Sequence, residues 1–215
     1  MHYRERWLSL SHFKVNFVIR ILIASDFVIW SSINMVTPIF AIFIADRIEG
    51  GSVSAAGIAM MIYFIAKSIF EIPIGIIMDR TKSERDDLYF AIGGTMLIGV
   101  VYFLFSFVTN VWELYFLQIF LGIGTAGAWP SWFSIFGRHI DEAKHGFVWS
   151  LHDVLLGVGG AAAAGIGAFA VEKFGFGIVF QIIGVLVILG AGLLFLIRKK
   201  VYTDGKEAQT TKSGK

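Results

Sequence analysis

The sequence has 215 residues, of which 56% are hydrophobic and only 16% charged, whereas soluble domains are about a quarter charged. A soluble domain of this length buries only about 70% of the surface of its unfolded chain, too little to hide this much apolar side chain. The 18 basic and 16 acidic residues nearly balance, which excludes a nucleic-acid partner. Since the chain has no cysteine, disulfides and thiolate metal ligands are excluded. The composition predicts an all-α membrane protein embedded in a lipid bilayer.

Six apolar segments are long enough to cross the membrane, because a helical crossing needs about 20 residues. Continuous runs of this length favour helices over the alternating strands of a barrel. They form one domain over residues 15–198, between a cytoplasmic segment at 1–14 and a disordered, polar cytoplasmic tail at 199–215. Pro38 and Pro130 predict kinks inside spans. In chain order the spans are 15–45, 53–78, 88–108, 112–136, 146–171 and 177–197.

The basic residues predict the orientation, because Lys and Arg concentrate in cytoplasmic loops. With six spans, both termini and the second and fourth loops share one side, which carries fifteen of the 18 basic residues. The opposite side carries only Arg47 and Lys173, and Lys67 lies within a span. Both termini of a multi-pass protein of the plasma (inner) membrane are therefore expected in the cytoplasm, and copies that associate should be parallel.

The first span carries Asp26, Trp30 and Asn34 at intervals of four residues, which places them on one helix face. An ionisable group deep in a span costs about 2.5–3.5 kcal/mol on insertion scales, so it rarely faces lipid. Asp26 has no basic residue four positions away on its own helix. This favours a protonatable carboxylate in a polar interior, and the alternative is that it only pairs with another polar group or with backbone.

Further polar side chains lie in the second, fourth and fifth spans. Lys67 and Glu71 are four residues apart and either line the interior or only neutralise each other. Gln118 lies in the fourth span, and Asp153 lies near the cytoplasmic end of the fifth. His152 is interpreted as a helix-packing or interface residue, with a proton relay as the alternative. Because the third and sixth spans have no ionisable residue in their interiors, spans one, two, four and five are predicted to line a polar interior. Spans three and six are predicted to face lipid.

Glycines concentrate in the fourth and fifth spans. Small residues four positions apart let helix backbones approach closely. No strand precedes these glycines and no Lys-Ser or Lys-Thr pair follows them, which argues against a phosphate-binding loop. The residues predicted to serve helix packing are Gly122, Gly124, Gly127, Pro130, Gly159 and Gly167.

The loop after the second span begins Gly75-Ile-Ile-Met-Asp79-Arg80. This segment resembles the signature that the major facilitator superfamily carries between its second and third helices, although Lys82 stands where the family has a second glycine. The fourth span is similar to the family's fourth helix, with Gln118 in place of the usual arginine. The resemblance covers residues 15–198 and matches a single six-helix half of the N-terminal type.

The resemblance implies a fold of six transmembrane helices arranged as two inverted three-helix repeats. It also implies secondary active transport of a small solute by alternating access, with Asp26 as the candidate site of proton coupling. Gly75, Asp79 and Arg80 would form a gating motif that docks on a partner half. Because one half cannot enclose a path alone, a parallel homodimer or a second six-helix half is expected.

Two other functions stay open, a half-carrier that only binds or regulates a partner and a truncated fragment of a twelve-helix carrier. An intramembrane enzyme is disfavoured, because Ser131 and Ser134 lack the glycine context of a serine nucleophile. The sequence also has no His-Glu-x-x-His motif. No catalytic residue, cofactor or metal site is therefore predicted.

Overall fold

The computed structural model describes residues 15–81 and 84–201, apart from the side chains of Thr81 and Glu142. The predicted segment at 1–14 and residues 202–215 of the predicted tail lie outside the described residues. Residues 199–201, the described part of the predicted tail, are helical. The helices are α1 (Phe17–Asn34), α2 (Phe40–Arg47), α3 (Val53–Thr81), α4 (Glu84–Leu104), α5 (Val111–His139) and α6 (His145–Leu194).

Five stretches of the described chain are helical, long and apolar enough to cross a membrane. The first four coincide with the first four predicted spans, and the fifth covers the predicted fifth and sixth spans together. Within residues 15–81 and 84–201 there is no strand, only an isolated bridge between Glu49 and Asn110. The protein is therefore an all-α, multi-pass membrane protein. The five stretches are Phe17–Arg47, Val53–Arg80, Glu84–Phe107, Val111–His139 and His145–Val201.

The first stretch is divided at Pro38, as the sequence predicts. The side chain of Asn16 caps α1 by accepting a hydrogen bond of 2.9 Å from the backbone N–H of Ile19. The helix stops at Asn34, and a 3₁₀ turn over Thr37–Ile39 leads into α2. Proline has no backbone N–H to donate and its ring disfavours a continuous helix. At Pro130, by contrast, α5 continues without a break.

The long helix α6 consists of two arms joined at Gly175. Its backbone has φ 80° and ψ 163° at Gly175, a conformation that favours glycine. A straight helix of its 50 residues would be about 75 Å long, more than twice the thickness of a bilayer core at about 30 Å. Val148 in the first arm (145–174) shares a core cluster with Leu194 at the end of the second arm (176–194). The arms therefore fold back against the same part of the bundle.

Buried side chains form two clusters, one toward each end of the bundle. One cluster joins Val18 and Ile19 of α1 with the end of α5 and the final turns of the chain. The other contains rings from α2, the end of α4 and the second arm of α6, with neighbouring centroids 4.8–6.2 Å apart. These aromatic residues are Phe40, Phe43, Phe105, Phe176 and Phe180.

Close helix contacts occur at several of the predicted packing glycines. A Cβ at Gly124 would lie 2.9 Å from the carbonyl oxygen of Gly94 in α4, and one at Gly122 would lie 2.7 Å from that of Tyr63 in α3. Gly127 makes only ordinary van der Waals contact. The predicted packing glycines of α6, Gly159 and Gly167, leave no room for a methyl group against α1 and the residue that follows it. Glycine therefore sets the spacing of α5 against α3 and α4, and of α6 against α1.

An ionic cluster, which the sequence analysis did not find, joins the start of α4 to the end of α5. The carboxylate of Asp87 is 1% exposed and lies 3.0 Å from Nη1 of Arg138. The hydroxyl of Ser134 donates a 2.8 Å hydrogen bond to the same carboxylate oxygen. Glu84 lies 3.8 Å from both Arg138 and His139. This cluster holds together the bundle end that the basic residues predict to be cytoplasmic.

Candidate functional site

A cavity of about 390 Å³ lies inside the bundle, between α1, α3, α4, α5 and α6. Its walls are mostly apolar and aromatic, which is typical of pockets for small organic molecules. The titratable side chains that line it are Asp26, Tyr63, Tyr102 and His152. The remaining lining includes Trp30, Phe40, Thr95, Gln118, Thr125, Trp129, Trp132 and Phe133.

The cavity wall contains a carboxylate–imidazole pair contributed by two different helices. Oδ2 of Asp26 in α1 lies 2.7 Å from Nε2 of His152 in α6. The two side chains are only 13% and 11% exposed. Asp26 is nine residues from the start of α1, about 14 Å along the helix axis. A hydrogen bond of this length between buried ionisable groups can hold a proton that either group can release.

Aromatic rings from α5 and α6 surround the imidazole of His152. The ring centroids of Trp132, Phe136 and Trp149 lie 5.0, 5.5 and 5.9 Å from that of His152. The imidazole is therefore packed between these rings and the carboxylate of Asp26.

Two buried polar atoms at the cavity wall have no hydrogen-bond partner among the described residues. They are Oε1 of Gln118, an acceptor, and Nε1 of Trp132, a donor. Gln118 is 1% exposed and Trp132 is 7% exposed. An unsatisfied buried polar group costs about 1–3 kcal/mol, so a partner that reached either atom would stabilise this wall of the cavity.

The structure brings together three of the seven polar residues singled out from the sequence, and four lie elsewhere. Asp26, Trp30 and Gln118 line the cavity. Asn34 donates its amide to the carbonyl oxygen of Trp30 at 2.9 Å and faces Gly160 of α6 instead. The other three positions, all outside the cavity lining, are Lys67, Glu71 and Asp153.

Lys67 and Glu71 form an ion pair on α3, with Nζ and Oε2 3.7 Å apart. The ammonium group of Lys67 also lies 6.0 Å from the ring centroid of Trp129, and Trp129 in turn packs edge-on against Trp30 at 5.4 Å. The pair therefore stands behind the aromatic wall of the cavity. Asp153, by contrast, is exposed on the outer surface of α6.

One expectation from the sequence needs correction. Thr95, Ile98 and Tyr102 of α4 line the cavity, so the prediction that the third span faces lipid is wrong for this face. His152 contacts Asp26 across the interface between α1 and α6, a contact that the sequence did not predict.

The residues of the predicted gating motif lie at the end of α3, away from the cavity. Asp79 and Arg80 are exposed, and Gly75 has open space where a Cβ would be. The motif therefore presents a free surface on the described part of this chain.

Comparison with known proteins identifies relatives in membrane transport. The family model described as Major Facilitator Superfamily matches residues 22–214. The chain is 27% identical over 186 residues to the multi-drug resistance efflux pump PmrA of Streptococcus pneumoniae, covering 85% of this chain and 45% of the pump. It is 27% identical over 170 residues to the multidrug resistance protein MdtG of Proteus mirabilis, covering 77% of this chain and 41% of that protein.

A crystal structure of the POT family transporter PepTSo has the same fold over 86% of this chain and 38% of its own, with a TM-score of 0.67 at 19% sequence identity. The chain spans less than half the length of these relatives. The family match covers most of the sequence, and the helical bundle has the shape of a known member. The chain therefore belongs to the Major Facilitator Superfamily.

Proposed function

We propose that this chain moves a small solute across the plasma membrane by proton-coupled alternating access, with both termini in the cytoplasm. The observation that carries the proposal is the Asp26 carboxylate in the wall of a 390 Å³ cavity inside a membrane bundle. Ionisable groups placed in this way serve ion and proton pathways in membrane proteins. Family membership supplies the mode of transport.

The cavity chemistry favours a largely apolar solute that carries a positive charge or a hydrogen-bond donor. Aromatic rings of Trp30, Trp129 and Trp132 dominate its walls and can attract a cation through their faces. Asp26 supplies negative charge, and Gln118 offers a buried acceptor oxygen. Two relatives are named as a multidrug efflux pump and a multidrug resistance protein, which supports export as the direction of transport.

We further propose that α6 crosses the membrane twice, once with each arm, so that the chain has six crossings in two inverted three-helix repeats. The first arm has 30 residues and would span about 45 Å. The break at Gly175 lies beside the end of α4, because a Cβ at Gly177 would be 3.8 Å from the carbonyl oxygen of Ser106. These contacts support a reversal of the chain at one membrane surface.

The cavity is proposed to be completed by a second half, either a parallel copy of this chain or a separate six-helix segment. Of the five apolar stretches, the one containing α3 is the least buried. In its most apolar part 17% of the residues are buried, compared with 33–44% in the other four stretches. Its exposed face carries large apolar side chains such as Phe64 and Ile72. The free surface at Gly75, Asp79 and Arg80 continues this face toward the end of α3.

Reconstitution tests the function directly. The chain in proteoliposomes that contain a pH dye should move protons when an apolar organic cation is added, and the signal should vanish when a protonophore collapses the pH gradient. Counting copies per particle in the same bilayer shows whether the active unit holds one chain or two. Proton movement that is the same with and without protein would refute transport and favour a half-carrier that only binds a partner.

A homodimer predicts a specific crosslink between copies, and the absence of native cysteine makes the test clean. One chain carries Asp79→Cys and a second carries Gly146→Cys, at the start of α6. Because a carboxylate is favourable near a helix N-terminus, Asp79 should meet that end of the partner's α6, and a disulfide dimer should form in membranes. A chain with Trp112→Cys, near the opposite end of the bundle, is the control. The arrangement is contradicted if Asp79→Cys crosslinks equally well to Gly146→Cys and to Trp112→Cys, or to neither of them.

A further inference from the structure

Asp26 has its basic partner on α6 and not on α5, the helix that is similar to the family's fourth helix. That helix usually places an arginine where this chain has Gln118, and the amide of Gln118 cannot carry a charge. Oε1 of Gln118 has no hydrogen-bond partner within the described residues. The basic group that does reach Asp26 is the imidazole of His152, at 2.7 Å and from a different helix, α6.

Histidine differs from arginine in that it gains and loses its charge between about pH 5 and 8, whereas arginine keeps its charge throughout. An arginine beside Asp26 would keep its positive charge throughout this range. With His152 as the partner, the net charge of the pair changes by one when a proton binds or leaves.

We propose that Asp26 and His152 form a single proton-binding unit in the wall of the cavity. In the loaded state, Nε2 of His152 carries the proton beside the Asp26 carboxylate. In the unloaded state, that N–H bond is broken, the proton leaves to water on the open side of the membrane, and His152 is neutral. His152 is thus a positioning and proton-holding residue for the coupling step, and this role rests on the proposed transport function.

Other charged groups do not complicate this assignment. Of the titratable residues in the cavity lining, α3 contributes Tyr63 and α4 contributes Tyr102, and phenols are uncharged at neutral pH. No titratable residue of α5 is in the lining. The ammonium group of Lys67 is engaged by Glu71 and the ring of Trp129. Within the described chain, the pair is therefore the part of the cavity wall that can change charge near neutral pH.

Intrinsic fluorescence of the purified chain reports the protonation of His152, because an imidazolium quenches nearby indoles and two of the six tryptophans, Trp132 and Trp149, contact this ring. Emission should show one step between pH 5 and 8. His152→Gln should abolish the step, since Gln keeps a donor at the same reach but takes up no proton. Asp26→Asn should move the step to lower pH, because the imidazolium loses its counter-charge. His145→Gln, an exposed histidine two turns earlier in α6, should leave the step in place.

In proteoliposomes, His152→Gln should lower pH-driven transport by about tenfold, the size expected when a charged hydrogen-bond partner is lost, while downhill movement of the solute continues. A purely structural role for His152 would preserve pH-driven transport in His152→Gln. A fluorescence step that survives in His152→Gln, or is missing from the unsubstituted chain, overturns the proposed unit. If the fluorescence step behaves as expected but the chain moves no solute, the proposed transport function is refuted. The proton-binding unit is then still supported.

Discussion

Replacing Asp26 by Asn is expected to abolish the dependence of solute movement on a pH gradient. Asn has nearly the same shape as Asp and can still hydrogen-bond to Nε2 of His152, which lies 2.7 Å from the native carboxylate. It cannot carry a negative charge, so His152 loses the counter-charge that stabilises the proton-loaded form of the pair. Pumping should therefore fall to the level of protein-free vesicles, while facilitated movement down a solute gradient persists.

The measurement compares uptake into proteoliposomes with and without an imposed pH gradient. Asp46→Asn is the matched control, because it makes the same chemical change at an exposed carboxylate at the end of α2, outside the cavity lining. This control should retain full coupling. If Asp26→Asn retains its response to the gradient, Asp26 is not the coupling residue, and the charge change must occur elsewhere in the chain.

The positions of the helices could be predicted from the sequence because they depend on local composition. Four of the predicted spans coincide with separate apolar helices, and Pro38 interrupts the first as its missing N–H requires. The fifth and sixth spans are the two arms of α6, which meet at the non-helical backbone of Gly175. The short polar run at 172–175 indicated where the chain would turn. The sequence could not show that the turn is confined to Gly175, with helix continuing directly before and after it.

The site was harder to predict, because its contacts join residues from different helices. The four-residue interval placed Asp26, Trp30 and Asn34 on one face of α1. In the structure Asp26 and Trp30 line the cavity, whereas Asn34 packs against Gly160 of α6. The interval cannot give the rotation of one helix against another. For the same reason, the approach of His152 to Asp26 follows from packing between α1 and α6 and has no signature along either helix.

The contact between α1 and α6 depends on glycine, and its disruption should have the largest effect on stability. Gly167 is buried, and a methyl group there would overlap the backbone carbonyl of Met35, the C-cap residue that follows α1. A side chain could turn aside, but a backbone carbonyl at a helix end cannot move without shifting the helix. We therefore expect Gly167→Ala to destabilise the protein by about 3 kcal/mol, at the upper end of the cost of overpacking.

The matched control is Gly165→Ala, one half-turn away on the same helix, where an added Cβ meets nothing within 4 Å. Alanine generally favours a helix interior by about 0.5–1 kcal/mol over glycine, so this variant should be as stable as the unsubstituted chain or slightly more so. Thermal unfolding in detergent, followed by tryptophan emission, measures both variants. Because Ile33, Val36 and Thr37 beside Met35 line the cavity, Gly167→Ala should also weaken solute binding. Equal midpoints for the two alanine variants would show that α1 and α6 do not depend on this close approach, and that the shape of the cavity is set by other contacts.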